Sequence, residues 1–196
     1  MKFQAFALSL LAASGLASPV PQDVRQPLYT LRLSSPVPAL DGAYLTLSPK
    51  NATQVGVYPP ASAEDAQIRF HAVQDPATGR AELRTTNIPT TGMRGTVLAL
   101  VGGGLLDLAS LQDPAAVPVP AGGVCDWTSF RLGDGEGEGK RIVYVGKDGQ
   151  AAGTWVAFPD GEAGAGWSVK WKDDNAVTTE NYMPVQLVYE PVQDSE

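Results

Sequence analysis

Tyr29-Thr30-Leu31-Arg32-Leu33 sets the reading of this chain. Apolar and polar side chains alternate along it, which is the period of a strand with one buried face. Leu31 and Leu33 are therefore expected to point inward, and Thr30 and Arg32 outward. A similar run returns at Ala81-Glu82-Leu83-Arg84-Thr85 and again at Arg141-Ile142-Val143-Tyr144-Val145. The three starts, at 29, 81 and 141, are 52 and 60 residues apart. The chain reads as a threefold pattern.

Each start is followed by three more short apolar runs. They fall at 44–47, 55–58 and 67–70 in the first third, and at 97–100, 105–108 and 127–132 in the second. The last third has them at 154–158, 167–171 and 185–189. Ile68 with Phe70, and Val169 with Trp171, alternate as Leu31 and Leu33 do. With 21 Gly and 16 Pro between these runs, helix signals are nearly absent. Twelve short strands in three sets of four predict an all-β domain resembling a β-trefoil barrel. A β-sandwich would use about as many strands and stays open as the alternative.

The chain opens with Met1 and Lys2, then an apolar run to Ala13, with small residues at Gly15, Ala17 and Ser18. That is the pattern of a cleaved secretory signal, too short to span a bilayer, which needs about 20 apolar residues. The expected organisation is a signal at 1–18 and a flexible, proline-bearing lead-in at 19–27. A single all-β domain at 28–192 and an acidic tail at 193–196 complete it. The expected location is outside the cell, secreted or attached to a cell wall.

A formal charge of −7, with Lys and Arg scattered singly, gives no cluster of cations for phosphates or anionic lipid. Nucleic acid and membrane are therefore not expected as partners. The one cysteine, Cys125, permits no internal disulfide, so stability must come from the core, and Cys125 reads as a buried free thiol. A monomer is expected. Asn51-Ala52-Thr53 is an N-glycosylation sequon in a polar stretch between two apolar runs.

Signals for catalysis are thin. The only histidine, His71, sits at a strand end, and no Gly-x-Ser-x-Gly turn occurs. The acids gather in turns, as at 64–65, 134–138, 160–162 and 173–174, where solvation is the ordinary outcome. No metal or other cofactor is expected, and the chain reads as a non-enzyme.

Trp155, Trp167 and Trp171 lie within 17 residues, with Phe158 and Tyr182 nearby. Flat rings stack on the apolar faces of sugars, so Trp155, Trp167, Trp171 and Tyr182 are the candidate carbohydrate-binding residues. At strand spacing such rings also read as core or cap. Trp155 and Trp167, each beside a Gly-rich turn, are the ones expected to reach solvent. A second candidate is the Pro- and Ala-rich stretch 112–124, with Val117-Pro118-Val119-Pro120 as an extended, exposed loop of the kind an inhibitor presents.

The signal segment, the Tyr44-Leu45-Thr46-Leu47 strand, Cys125-Asp126-Trp127-Thr128-Ser129-Phe130 and Trp167-Ser168-Val169-Lys170-Trp171 together resemble small secreted proteins of filamentous ascomycete fungi. Some of those carry labels such as cell-wall or IgE-binding protein. The resemblance covers most of the mature chain, but its motifs have no assigned chemistry, so no functional residue carries over. Ricin-type lectins repeat Gln-x-Trp, which is absent here, and Kunitz-type trefoil inhibitors usually carry disulfides. The expectation is a non-catalytic protein that associates with cell-wall or other extracellular polysaccharide. The alternative is a protease inhibitor or host-interaction protein that meets an extracellular protein through residues 117–120.

Overall fold

A computed structural model describes residues 26–59, 66–86, 95–133, 140–150, 152–161 and 165–192. The expected signal at 1–18, most of the lead-in, the acidic tail at 193–196 and most of the acidic glycine-rich stretch after Leu132 lie outside those residues.

Six strands close into a ring. They are β1 (Tyr29–Ser34), β4 (Arg69–Gln74), β5 (Ala81–Thr85), β9 (Phe130–Gly133), β10 (Arg141–Tyr144) and β14 (Gln186–Pro191). Each pairs antiparallel with the next, and β14 returns to β1 through six paired positions. Three hairpins cap one end: β2 (Thr46–Leu47) with β3 (Val55–Val57), β6 (Val97–Gly103) with β7 (Leu105–Leu111), and β11 (Gly153–Pro159) with β12 (Trp167–Asp173). Two ring strands and one hairpin make each third of the chain. This is a trefoil-like barrel. Ring closure separates it from a sandwich, and it leaves the six barrel strands without a free edge.

The hairpins also hold one another, because β12 pairs with both β3 and β7, and Gln54 bridges to Ala109. Gly56 permits the β3–β12 approach, since a Cβ there would run into the Trp167 carbonyl and the Tyr58 ring. Two short strands add to the predicted set: β8 (Val124–Asp126) on β6, and β13 (Met183–Pro184) on β11.

One continuous core fills the barrel and the cap. Leu31, Leu33, Phe70, Leu83, Phe130, Ile142 and Leu187 are buried within it, together with Leu98, Leu100, Leu108, Val169 and Trp171 of the hairpins. Burying each such side chain contributes about 1.5–3 kcal/mol relative to exposing it. Stability rests on this core without a disulfide, since the one cysteine, Cys125, is free.

The expected inward positions at Leu31, Leu33, Ile68 and Phe70 are buried. Thr30 is a correction. It faces away from the core as expected, yet is buried, because it lies between Arg69 on one neighbouring strand and Glu190 on the other. The run at 127–132 is another. Its first three residues form a turn, and β9 begins only at Phe130.

Candidate functional site

The β11–β12 hairpin was expected to carry the sugar-stacking rings, and its register decides which of them can. Trp155 lies opposite Trp171, Ala157 opposite Val169 and Pro159 opposite Trp167, so these six share one face. Trp155, Ala157, Val169 and Trp171 all belong to the core cluster, so that face is the inner one. Trp155 and Trp171 are each 4% exposed and meet edge to face at 5.3 Å. The Trp155 indole N–H donates to the Ile142 carbonyl at 2.8 Å.

Trp155 therefore does not reach solvent, and neither Trp155 nor Trp171 offers a free face. A neighbouring glycine turn does not override the two-residue period of a regular strand. Trp167 is half-buried and packs against the same core. Of the four proposed rings, Tyr182 alone stands apart from that cluster among the described residues.

The opposite face of the hairpin is built differently. Val156, Phe158, Ser168, Lys170 and Lys172 project there by the same parity. Phe158 is buried but lies outside the core cluster, because half-buried Tyr182 leans on it at 5.6 Å. The Lys170 ammonium sits 5.4 Å from the Phe158 ring centre and pairs with Asp107 at 2.8 Å. Lys172 stands 6.0 Å from the Tyr182 ring. A groove of about 540 Å³ opens beside them, with Phe158 and Lys170 in its wall and Gln54, Asp160, Glu180 and Asn181 around it. That size lies within the range of small-ligand clefts. The amides, carboxylates and ammonium of this groove can bond sugar hydroxyls, while Phe158 is too buried to stack, and the partly exposed ring nearby is that of Tyr182, next in sequence to Asn181.

Tyr58 lies buried on β3's side of the cap. Burial pushes its phenol up to about 12, with the Asp160 carboxylate adding to the effect.

The remaining candidates are separate. Residues 112–124 leave β7, form a 3-10 turn at Pro114–Ala116 and return at β8. Val117 has extended backbone, and Pro118, Val119 and Pro120 are exposed. Asn51 is exposed in the β2–β3 connection, and its carbonyl oxygen accepts from the Thr53 N–H at 3.1 Å and the Thr53 hydroxyl at 2.9 Å.

Cys125 is half-buried, so the fully buried thiol expected for it is corrected. Among the described residues β8 has one strand neighbour, β6. Partial burial and the Asp126 carboxylate still raise its pKa, which disfavours the thiolate. His71 lies opposite Arg84, which pairs with Val97, whereas Cys125 pairs with Val101. That offset of four residues, about 13 Å along β6, keeps the two side chains apart. Among the described residues no three of His, Cys, Asp and Glu gather into a metal-holding group.

Trp127 was not among the proposed site residues. It is half-buried in the turn before β9 and lines a second groove, away from the third hairpin. The signal for it was local. Asp126 and Thr128 bracket it in the Asp-x-Thr pattern of a side-chain-closed turn, which interrupts strand alternation.

No family model matches the chain, and no curated protein matches it. Among solved structures, the cytolethal distending toxin of Haemophilus ducreyi is similar at 15% identity and a TM-score of 0.48. The match covers 96% of this chain and 98% of that one. A likeness of that size carries no functional argument.

Proposed function

We propose that this chain is a secreted, non-catalytic protein that associates with cell-wall or other extracellular polysaccharide through the outer face of its third hairpin. The observation that carries this reading is the half-buried Tyr182 ring, which leans on buried Phe158 outside the core cluster and follows Asn181 of a polar groove. Tyr182 supplies the stacking face, Asn181 and Gln54 supply amide bonds to hydroxyls, and Lys170 stays fixed by Asp107. The signal-like first eighteen residues and the resemblance to small secreted fungal proteins, some of which carry a cell-wall label, are in keeping with it.

The test is sedimentation of the mature protein with insoluble chitin, β-glucan and mannan. Saturable binding to one polymer is expected, and Tyr182→Ala should weaken it at least tenfold, about 1.4 kcal/mol. Unchanged binding by the folded variant would remove this site.

A second reading rests on the stretch from Val117, whose backbone is extended, through exposed Pro118, Val119 and Pro120, which lies between β7 and β8. Such a loop has the form of an inhibitor that occupies a protease cleft as a strand. Deleting 117–120 should abolish inhibition of an extracellular protease panel, and inhibition that survives the deletion would exclude the loop.

A further inference from the structure

We propose a second polysaccharide site, in the second third of the chain and built around Trp127, which takes a neutral sugar unit and makes the protein bivalent. It extends the polysaccharide reading above to a region that contributes nothing to the third-hairpin groove.

The argument begins with Asp126. Its carboxylate is buried, accepting the Thr128 N–H at 3.1 Å and the Thr128 hydroxyl at 3.3 Å on one oxygen, and the Tyr144 hydroxyl at 3.0 Å on the other. A buried carboxylate is costly unless donors meet it, and here three do. They lock the turn, and the turn carries Trp127 out of strand alternation. Tyr144 in turn is wedged between Phe130 and Trp171, so the core itself anchors the turn.

Of the four tryptophans, Trp155 and Trp171 lie in the core and Trp167 packs against it. Trp127 does neither, and among the described residues no aromatic ring is stacked on it. A half-buried indole outside the core cluster keeps some surface for a ligand.

The groove it lines has a volume of about 450 Å³. Arg84 and Glu82 form one wall, paired at 2.6 Å, and Gln112 and Asp113 form another. Thr96, just before β6, lines the groove, and its hydroxyl bonds those of Thr85 of β5 and Ser110 of β7 in a buried chain.

The chemistry selects the ligand class. One indole face suits the apolar face of a pyranose. The Gln112 amide and the carboxylates of Glu82 and Asp113 suit vicinal hydroxyls. Among the described residues that line the groove Arg84 is the one cation, and it is already held by Glu82, so two carboxylates face one committed guanidinium there. A uronate, sulfate or phosphate would meet net negative charge. The fit is to a neutral polymer.

Two sites on different thirds of one rigid barrel hold two stretches of polymer. Avidity on an insoluble wall then exceeds either affinity.

The experiment is calorimetric titration of the full mature chain with chitohexaose, laminarihexaose and mannohexaose, repeated with oligogalacturonate. Wild type should bind one neutral oligosaccharide at two sites. Trp127→Ala should leave one site and abolish the ligand-induced change in tryptophan fluorescence, and Tyr182→Ala should leave one site and keep that change. The exposed double variant Gln112→Ala/Asp113→Ala, which does not disturb the core, should weaken the Trp127 site at least fivefold.

A single wild-type site lost in Tyr182→Ala and untouched in Trp127→Ala would overturn this proposal and leave the third-hairpin reading standing. A single site lost only in Trp127→Ala would overturn the third-hairpin reading and keep the indole groove, though not bivalency. Oligogalacturonate binding in place of the neutral sugars would overturn the ligand class. Occupation of the groove by a protein, with no sugar bound by any variant, would overturn both readings.

Discussion

The β11–β12 hairpin and the 124–130 segment both place tryptophans next to turns, yet they use them in opposite ways. In the hairpin the strands are regular, so Trp155 and Trp171 obey parity and meet inside the core. In the segment a buried aspartate closes a turn, parity is broken, and Trp127 emerges beside a groove. Proximity to a glycine or a turn does not expose an aromatic ring. Loss of the strand period does.

The contrast is most sharply tested in the core. Trp171→Ala should cost about 3–5 kcal/mol, since it removes the ring packed on both Trp155 and Tyr144. Urea unfolding measures this, and a cost below about 1 kcal/mol would mean that the hairpin's inner face is not core. Asp126→Ala comes next. It leaves the Tyr144 hydroxyl and the Thr128 N–H without this acceptor, at about 2–3 kcal/mol, and frees the turn. Tryptophan emission should shift to the red in this variant, and an unshifted spectrum would show that Asp126 does not hold Trp127.

Alkaline pH probes the cap. The Tyr58 phenol moves from its ordinary 10.0 to about 12 on folding, so the folded chain holds that proton more tightly than the unfolded one. The associated stability is full below pH 10 and is lost as pH rises toward 12. Tyr44, raised by its hydrogen bond to Glu190, and Tyr144, raised by burial, act in the same direction. Tyr58→Phe should flatten the stability curve over that range, and an identical curve would contradict the burial of Tyr58.

The smallest effect on stability belongs to the proposed surface. Tyr182→Ala should change the unfolding free energy by less than about 1 kcal/mol while weakening polysaccharide binding. A loss comparable to that of Trp171→Ala would place Tyr182 with the core instead. Lys170→Ala should likewise cost no more than about 1 kcal/mol, because its partner Asp107 is half exposed.

Much of the fold was legible in single residues. Leu31 and Leu33 alternate with Thr30 and Arg32, the pattern returns at Ala81 and Arg141, and those three starts became β1, β5 and β10 of the ring. β8 and β13 were not legible. Val124–Asp126 and Met183–Pro184 are too short to show a period, and they become strands only by lying along β6 and β11. Of the proposed rings, Trp155, Trp167 and Trp171 were drawn to the site by their spacing, although spacing does not say which face of a strand meets the core. Trp127 was overlooked because its segment read as a continuous strand.

The sequence by itself determined the all-β class, the three sets of four runs, the single cysteine and the acidic charge, because these are properties of local order and composition. Only the tertiary structure decided ring closure, the burial of Thr30 and the side of each hairpin that turns outward. It also placed Trp127 in one groove with Arg84 and Gln112, and Tyr182 against Phe158. Those outcomes depend on contacts between residues far apart in the chain. A local period fixes two faces of a strand, and packing against distant strands chooses between them.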